Sequence, residues 1–214
     1  MIIDSHNHPD WHGHDFGRTL ANMARYHIDR TWLLSWECPD DEWDPAFVPV
    51  VPPGIGPGPI PFARCLAYKE RAPDRFILGY APDPRRPGAI GRLQAAIEIY
   101  GVQVCGEIKL RMMYDNPDAI RLFRFCGEKG LPVTIHLDYE FATGVRACPQ
   151  TIFIGHAPGF WAHLSGDDQF DRVPYPSGPI VPGGKVVEML RRYPNLYCDI
   201  SAGSGHNALK RDLA

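Results

Sequence analysis

Short apolar runs alternate with amphipathic segments along the whole chain. We predict seven buried strands, because each of these runs is apolar nearly throughout and bounded by turn or polar residues. The first strand begins with the apolar residues 1–3 and continues into His6-x-His8. The other six predicted strands are 30–35, 76–80, 104–110, 131–136, 151–156 and 195–200.

Between these runs, apolar residues recur every three or four positions, which is the spacing of an amphipathic helix. The clearest case is 89–100, where Ile90, Leu93 and Ile97 share a stripe and Gly101 ends the helix. The other predicted helices are 19–27, beginning at a Thr19 N-cap, then 62–71, 119–129 and 184–193.

Apolar strands that alternate with helices predict a parallel sheet covered by helices. Seven strands are one short of a (β/α)8 TIM-like barrel, which we predict as the fold, with the eighth strand missing from this chain. A doubly wound open sheet is the alternative, but no glycine-rich phosphate loop follows the first strand. We predict a single domain over 1–214 that is incomplete at its C-terminus.

The connection between the fifth and sixth predicted strands is short. A parallel crossover normally takes a dozen or more residues, most of them helical, yet 138–144 is predicted as loop and only 145–150 remains. A seven-stranded barrel would also leave two unpaired edges, which favour aggregation. We therefore expect residues to be missing from this sequence near Gly144 and after Ala214.

Composition narrows the classes of partner. A net charge of −3 argues against nucleic acid or an anionic membrane, and the sequence has neither a membrane-length apolar run nor a secretion signal. Six widely spaced cysteines without Cys-x-x-Cys predict reduced thiols in a cytoplasmic protein. We expect a small-molecule substrate, and the sequence leaves open whether the protein forms a homo-oligomer.

Histidines stand at the ends of three predicted strands. His6 and His8 are two residues apart, so on a strand they point to one face, while His136 and His156 end the fifth and sixth strands. A single histidine of this kind is more often a hydrogen-bonded core residue than a ligand. Four at homologous strand ends, where barrel enzymes carry their reactive groups, predict a divalent metal site.

The fourth predicted strand carries Glu107 and Lys109 on one face. Charged side chains in an apolar strand are costly unless they are paired or bind a metal. Glu107 is therefore a candidate ligand, with an ordinary salt bridge as the alternative, and Lys109 could bind an anionic group of a substrate. A second His-x-His, His12 and His14, lies in a loop with no strand to hold it, and we predict that both lie at the surface or, at most, near a substrate.

Three motifs together resemble the amidohydrolase superfamily, and within it the amidohydrolase-2 branch: Ile-Asp-Ser-His-Asn-His, Pro-Val-Thr-Ile-His136 and Phe-Ile-Gly-His156-Ala-Pro-Gly-Phe-Trp161. The resemblance implies a distorted β/α barrel and a divalent metal held by His6 and His8, with His136 as a further ligand. Zinc is the first expectation, with manganese and iron as alternatives. His156 would ligate a second metal or act as a catalytic base on water. Glu107 resembles the bridging glutamate of the deoxyribonuclease-like branch.

The resemblance implies a hydrolase that uses a metal-activated water on a small amide, lactone or ester. A non-oxidative decarboxylase of an aromatic or unsaturated carboxylic acid is the alternative on the same site. The family's aspartate at the end of strand eight has no counterpart in this chain, and Asp199, on the seventh predicted strand, is not assigned that role. A non-catalytic metal-binding barrel is therefore a third interpretation.

Overall fold

The computed structural model describes residues 1–42, 60–136, 142–167, 173 and 175–211. The chain divides into two compact units, Met1–Leu110 and Arg111–Ala214. Each unit is described by itself below. The single domain expected over 1–214 stays a prediction.

The first unit is built around a parallel sheet. Three strands lie in the order β1-β2-β3, and a fourth, β4, follows Val104, which forms a parallel bridge with Gly79. The strands are β1 (Ile3–Asn7), β2 (Arg30–Leu34), β3 (Phe76–Gly79) and β4 (Cys105–Ile108), and the helices between them are α1 (Phe16–Arg25), α2 (Phe62–Arg71) and α3 (Ala89–Tyr100). All four residues of β4 are buried, as expected of a strand in a parallel sheet that is covered on both faces.

In the second unit, three strands pair in parallel in chain order. Its strands are β5 (Val133–His136), β6 (Phe153–His156) and β7 (Leu196–Cys198). Its helices are α4 (Pro117–Lys129), α5 (Ala142–Ala147), α6 (Pro158–Trp161), α7 (Lys185–Arg192) and α8 (Ala202–Lys210). The core contains Phe123 and Phe153, whose rings meet edge to face at 5.2 Å between centroids.

The seven predicted strands and the alternation of strands with helices are confirmed, and so is parallel pairing within β1–β3 and within β5–β7. Helices α2 and α3 have the predicted bounds. The start of α1 was predicted wrongly. The N-cap is Asp15, whose carboxylate accepts from the Arg18 amide at 2.9 Å, whereas Thr19 lies inside the helix and donates its hydroxyl to the Asp15 carbonyl.

The loop predicted over 138–144 is wrong at its C-terminal end, because α5 begins at Ala142 and runs through Gly144 and Val145. The expectation that residues are missing near Gly144 stays a prediction. Glycine favoured a loop prediction here, but its role is close packing. A Cβ at Gly144 would lie 2.9 Å from the Tyr114 carbonyl oxygen, so a side chain would push α5 away from the segment that precedes α4. A short helix therefore connects β5 and β6.

None of the helices in the described ranges is both long enough and apolar enough to cross a membrane.

Candidate metal site

The end of β1 is shaped by Asp4. Strand pairing is irregular between Asp4 and Asn7, and the Asp4 carboxylate accepts from the His6 amide and from the Asn7 side-chain amide, both at 3.2 Å. The Asn7 side-chain oxygen in turn accepts from the His8 amide at 2.8 Å. These local bonds fix the backbone that carries His6 and His8.

Three potential ligand atoms converge within the first unit. His6 Nε2 and His8 Nε2 are 3.3 Å apart, and Glu107 Oε2 of β4 lies 3.1 Å from His8 Nε2 and 3.6 Å from His6 Nε2. Glu107 is 2% exposed and His8 7%. The structure thus brings together three of the residues selected from the sequence.

The hydrogen bond of His8 Nδ1 determines which of the two ring nitrogens carries the proton. His8 Nδ1 lies 2.8 Å from the carbonyl oxygen of Leu34, at the end of β2. A carbonyl only accepts, so Nδ1 carries the proton, and in neutral His8 the Nε2 lone pair faces the cluster. This backbone-anchored tautomer is the form in which metal-binding histidines are held.

The donor set fits a divalent cation. Two ligand atoms at ~2.0–2.1 Å from a tetrahedral zinc are ~3.3–3.4 Å apart. The three observed separations, 3.1, 3.3 and 3.6 Å, lie around that value. Lone pairs and a carboxylate that face one another in a buried site repel, and a cation between them removes that cost. Two imidazoles with a carboxylate suit zinc, manganese or iron.

Two tryptophan rings lie close to His8. The rings of Trp11 and Trp36 lie 5.6 and 6.1 Å from the His8 ring, and Lys109 Nζ lies 5.0 Å from the Trp36 centroid. The Glu107 carboxylate contacts His6 and His8, which favours its interpretation as a ligand over an ordinary salt bridge.

In the second unit, His136 and His156 stand side by side at the ends of β5 and β6. They are direct partners in the parallel register, their ring centroids are 5.7 Å apart, and a ring nitrogen of each lies within 4.8 Å of the other. The Tyr114 hydroxyl donates to the His136 carbonyl at 2.9 Å. The sheet register accounts for this pair.

Sequence reasoning assigned no role to Asp199, yet the structure places it beside His156. Asp199 is 4% exposed, and its Oδ2 lies 3.5 Å from His156 Nδ1. The available signal was its position, since Asp199 directly follows β7 as His8 directly follows β1, and His136 and His156 end β5 and β6. The sequence analysis expected the family's aspartate only after an eighth strand.

Two further features of the motifs, the second His-x-His and Trp161, can be placed in the structure. His12 and His14 are exposed, as predicted. Trp161 is 7% exposed and donates its indole N–H to the Asp199 carbonyl at 2.8 Å, which agrees with a packing role.

A second polar cluster follows β2 and β3 in the first unit. The Tyr80 hydroxyl donates to Glu37 at 2.5 Å, and Arg85 forms two bonds to the carboxylate of Asp83, which is 1% exposed. These hydrogen bonds to Asp83 raise the pKa of the Arg85 guanidinium above its usual value. Opposite charges are matched in this cluster, which indicates a structural role.

No protein-family model and no curated protein matches the sequence. Solved structures do. A TIM-barrel protein from Bordetella bronchiseptica has a TM-score of 0.60 and 14% identity, over 92% of this chain and 74% of that chain. A candidate amidohydrolase from Staphylococcus aureus has a TM-score of 0.55 and 10% identity, over 98% and 84%. A candidate 2-pyrone-4,6-dicarboxylic acid hydrolase from Acinetobacter baumannii, with citric acid bound, has a TM-score of 0.52 and 13% identity, over 97% and 75%.

These likenesses show the fold. The predicted fold class, an α/β barrel of the TIM type, is confirmed. The resemblance to the amidohydrolase superfamily, inferred from three motifs, agrees with this fold, which a candidate amidohydrolase shares.

Proposed function

We propose that this protein is a metal-dependent hydrolase of the amidohydrolase-2 type that acts on a small amide, lactone or ester. The observation that carries the proposal is the convergence of His6 Nε2, His8 Nε2 and Glu107 Oε2 within 3.1–3.6 Å of one another. Zinc is the first choice of metal for these three ligands, with manganese or iron as alternatives. The fold shared with candidate hydrolases supports the proposal.

The chemistry of such a site begins with its cation. A bound divalent metal lowers the pKa of a coordinated water toward neutrality and polarises a carbonyl oxygen. His6, His8 and Glu107 would hold it, and the Leu34 carbonyl keeps the His8 proton on Nδ1, away from the ligand side. Three protein ligands leave a position for water or substrate, as in catalytic zinc sites.

Other chain groups have roles that stay predictions. His136 is a predicted further ligand, and His156 is a predicted second ligand or catalytic base that takes the proton from the attacking water. Lys109 could bind an anionic group of a substrate. A cytoplasmic location and a small-molecule substrate, with neither nucleic acid nor a membrane as partner, belong to the same proposal, and a homo-oligomer is compatible with it.

Metal content of the purified full chain tests the site. We expect about one equivalent or more of zinc, manganese or iron by elemental analysis, and loss of most of it in His6→Ala/His8→Ala. The matched control is His12→Ala/His14→Ala, which removes the other His-x-His, whose two side chains are exposed, and should retain the metal. If the wild-type protein takes up none of the three metals on reconstitution, the proposal fails.

Substrate screening tests the reaction. We expect the metal-loaded protein to hydrolyse amides, lactones or esters of small carboxylic acids without release of carbon dioxide. Carbon dioxide from an aromatic or unsaturated acid would instead identify the decarboxylase. A protein that binds metal stoichiometrically but turns over neither class would be a non-catalytic barrel.

A further inference from the structure

Asp199 is held rigidly at the end of β7. Its amide donates to the Gly155 carbonyl of β6 at 3.0 Å, and its own carbonyl accepts from the Trp161 indole at 2.8 Å. One carboxylate oxygen, Oδ1, accepts from the Ser201 amide at 2.6 Å. The backbone and one oxygen of Asp199 are therefore fixed by groups of the same unit.

The second carboxylate oxygen faces His156. Asp199 Oδ2 lies 3.5 Å from His156 Nδ1, and both side chains are almost fully buried, at 4% and 5% exposed. This separation is longer than a tight hydrogen bond, but contacts of this kind often tighten only when the site is engaged. In a buried environment, a carboxylate at this distance has a strong effect on where the imidazole proton resides.

Ser201 supplies a competing contact, since its Oγ is also 3.5 Å from His156 Nδ1. A hydroxyl can donate or accept, so it is compatible with either neutral tautomer, whereas an ionised carboxylate only accepts. Asp199 is therefore the group of the two that selects a tautomer, and it selects the one with the proton on Nδ1.

We propose that Asp199 is a positioning residue for His156, which keeps the imidazole proton on Nδ1 and leaves the lone pair on Nε2. A lone pair on Nε2 is what either a metal ligand or a general base at this position requires. The use of that lone pair in catalysis rests on the proposed function, whereas the tautomer itself is a property of the second unit.

The substitution Asp199→Asn tests this proposal, because the Ser201 amide needs an acceptor and so determines which way the Asn side chain is oriented. The Asn side-chain oxygen will take the place of Oδ1, so the NH2 group will face His156 Nδ1 and donate to it. The proton then moves to Nε2, as happens when an amide replaces the aspartate of a Ser-His-Asp triad. Ser201→Ala, which keeps the backbone amide, is the matched control and should leave the proton on Nδ1.

The readout is the tautomer of His156 in the full chain, labelled with 15N-histidine, freed of metal with a chelator and kept at a pH where the ring is neutral. Comparison with His156→Gln assigns its signals among the nine histidines. We expect Nδ1–H in the wild type and in Ser201→Ala, and Nε2–H in Asp199→Asn. Amide spectra verify folding of each variant.

Nε2–H in the wild-type protein overturns the proposal even if Asp199→Asn does not fold. A tautomer unchanged in folded Asp199→Asn, or reversed in Ser201→Ala, overturns it as well. Because this measurement needs neither metal nor turnover, its failure is distinct from failure of the proposed hydrolase. Where the metal does bind through His156, Asp199→Asn should weaken its affinity by about tenfold or more.

Discussion

The two ring nitrogens of His8 have different partners, and that difference gives the cluster its chemistry. Nδ1 lies against a backbone carbonyl at 2.8 Å, while Nε2 lies 3.1 Å from Glu107. A backbone acceptor does not ionise or rotate away, so it holds the tautomer more reliably than a surface side chain would.

We expect Glu107→Gln to weaken metal binding by about tenfold or more, because the amide keeps the size of the side chain but supplies a weaker, uncharged ligand. Tryptophan fluorescence can follow the titration, since Trp11 and Trp36 lie 5.6 and 6.1 Å from His8. Glu98→Gln, on the exposed surface of α3, is the control. Equal affinities in the two variants would remove Glu107 from the ligand set.

At the scale of the element, α1 begins about one turn earlier than its apolar stripe predicts. The first amide groups of a helix need acceptors, and Asp15 supplies one through the Arg18 amide. Thr19 resembles an N-cap in the sequence, but its hydroxyl bonds back to the preceding turn at 2.9 Å.

Asp15→Ala should lower the free energy of unfolding by about 1 kcal/mol, the usual cost of an N-cap acceptor. Asp15→Asn retains an acceptor oxygen and should stay within a few tenths of a kcal/mol of the wild type. Urea denaturation followed by circular dichroism measures both. If Asn costs as much as Ala, the effect of Asp15 comes from its charge and the cap assignment is wrong.

At the scale of the whole chain, the six cysteines differ sharply in access. Five are buried and Cys198 is exposed. Burial, and then the Asp199 charge, raise the pKa of the Cys198 thiol above its usual value, and burial strongly raises that of Cys65. Solvent exposure makes Cys198 the thiol that a reagent reaches first. Because the thiolate is the reactive form, the raised pKa makes this reaction slow near neutral pH.

Under native conditions we therefore expect a disulfide reagent such as DTNB to label one thiol, and Cys198→Ser to remove that reaction. The rate should climb with pH from 7 past the ordinary cysteine pKa of about 8.5, because the folded-state pKa is higher. All six thiols should react after denaturation. Fast labelling of several thiols in the native protein would contradict the buried assignments.

The sequence by itself determined the order of strands and helices and the positions of His6, His8, His136 and His156 at strand ends. These features depend on local patterns: apolar runs, a three-to-four residue period and the alternation of side chains along a strand. The same local patterns placed Glu107 inside a buried strand, where a carboxylate needs a partner.

Only the tertiary structure decided which distant groups meet. Three contacts join segments far apart in the chain: the Leu34 carbonyl with His8, the Glu107 carboxylate with His6 and His8, and Asp199 with His156. No local period encodes such contacts, because they follow from strand register and from the packing of helices on the sheets. The role of Gly144 was likewise not predictable from the sequence. Glycine is required there because the Tyr114 carbonyl leaves no room for a side chain.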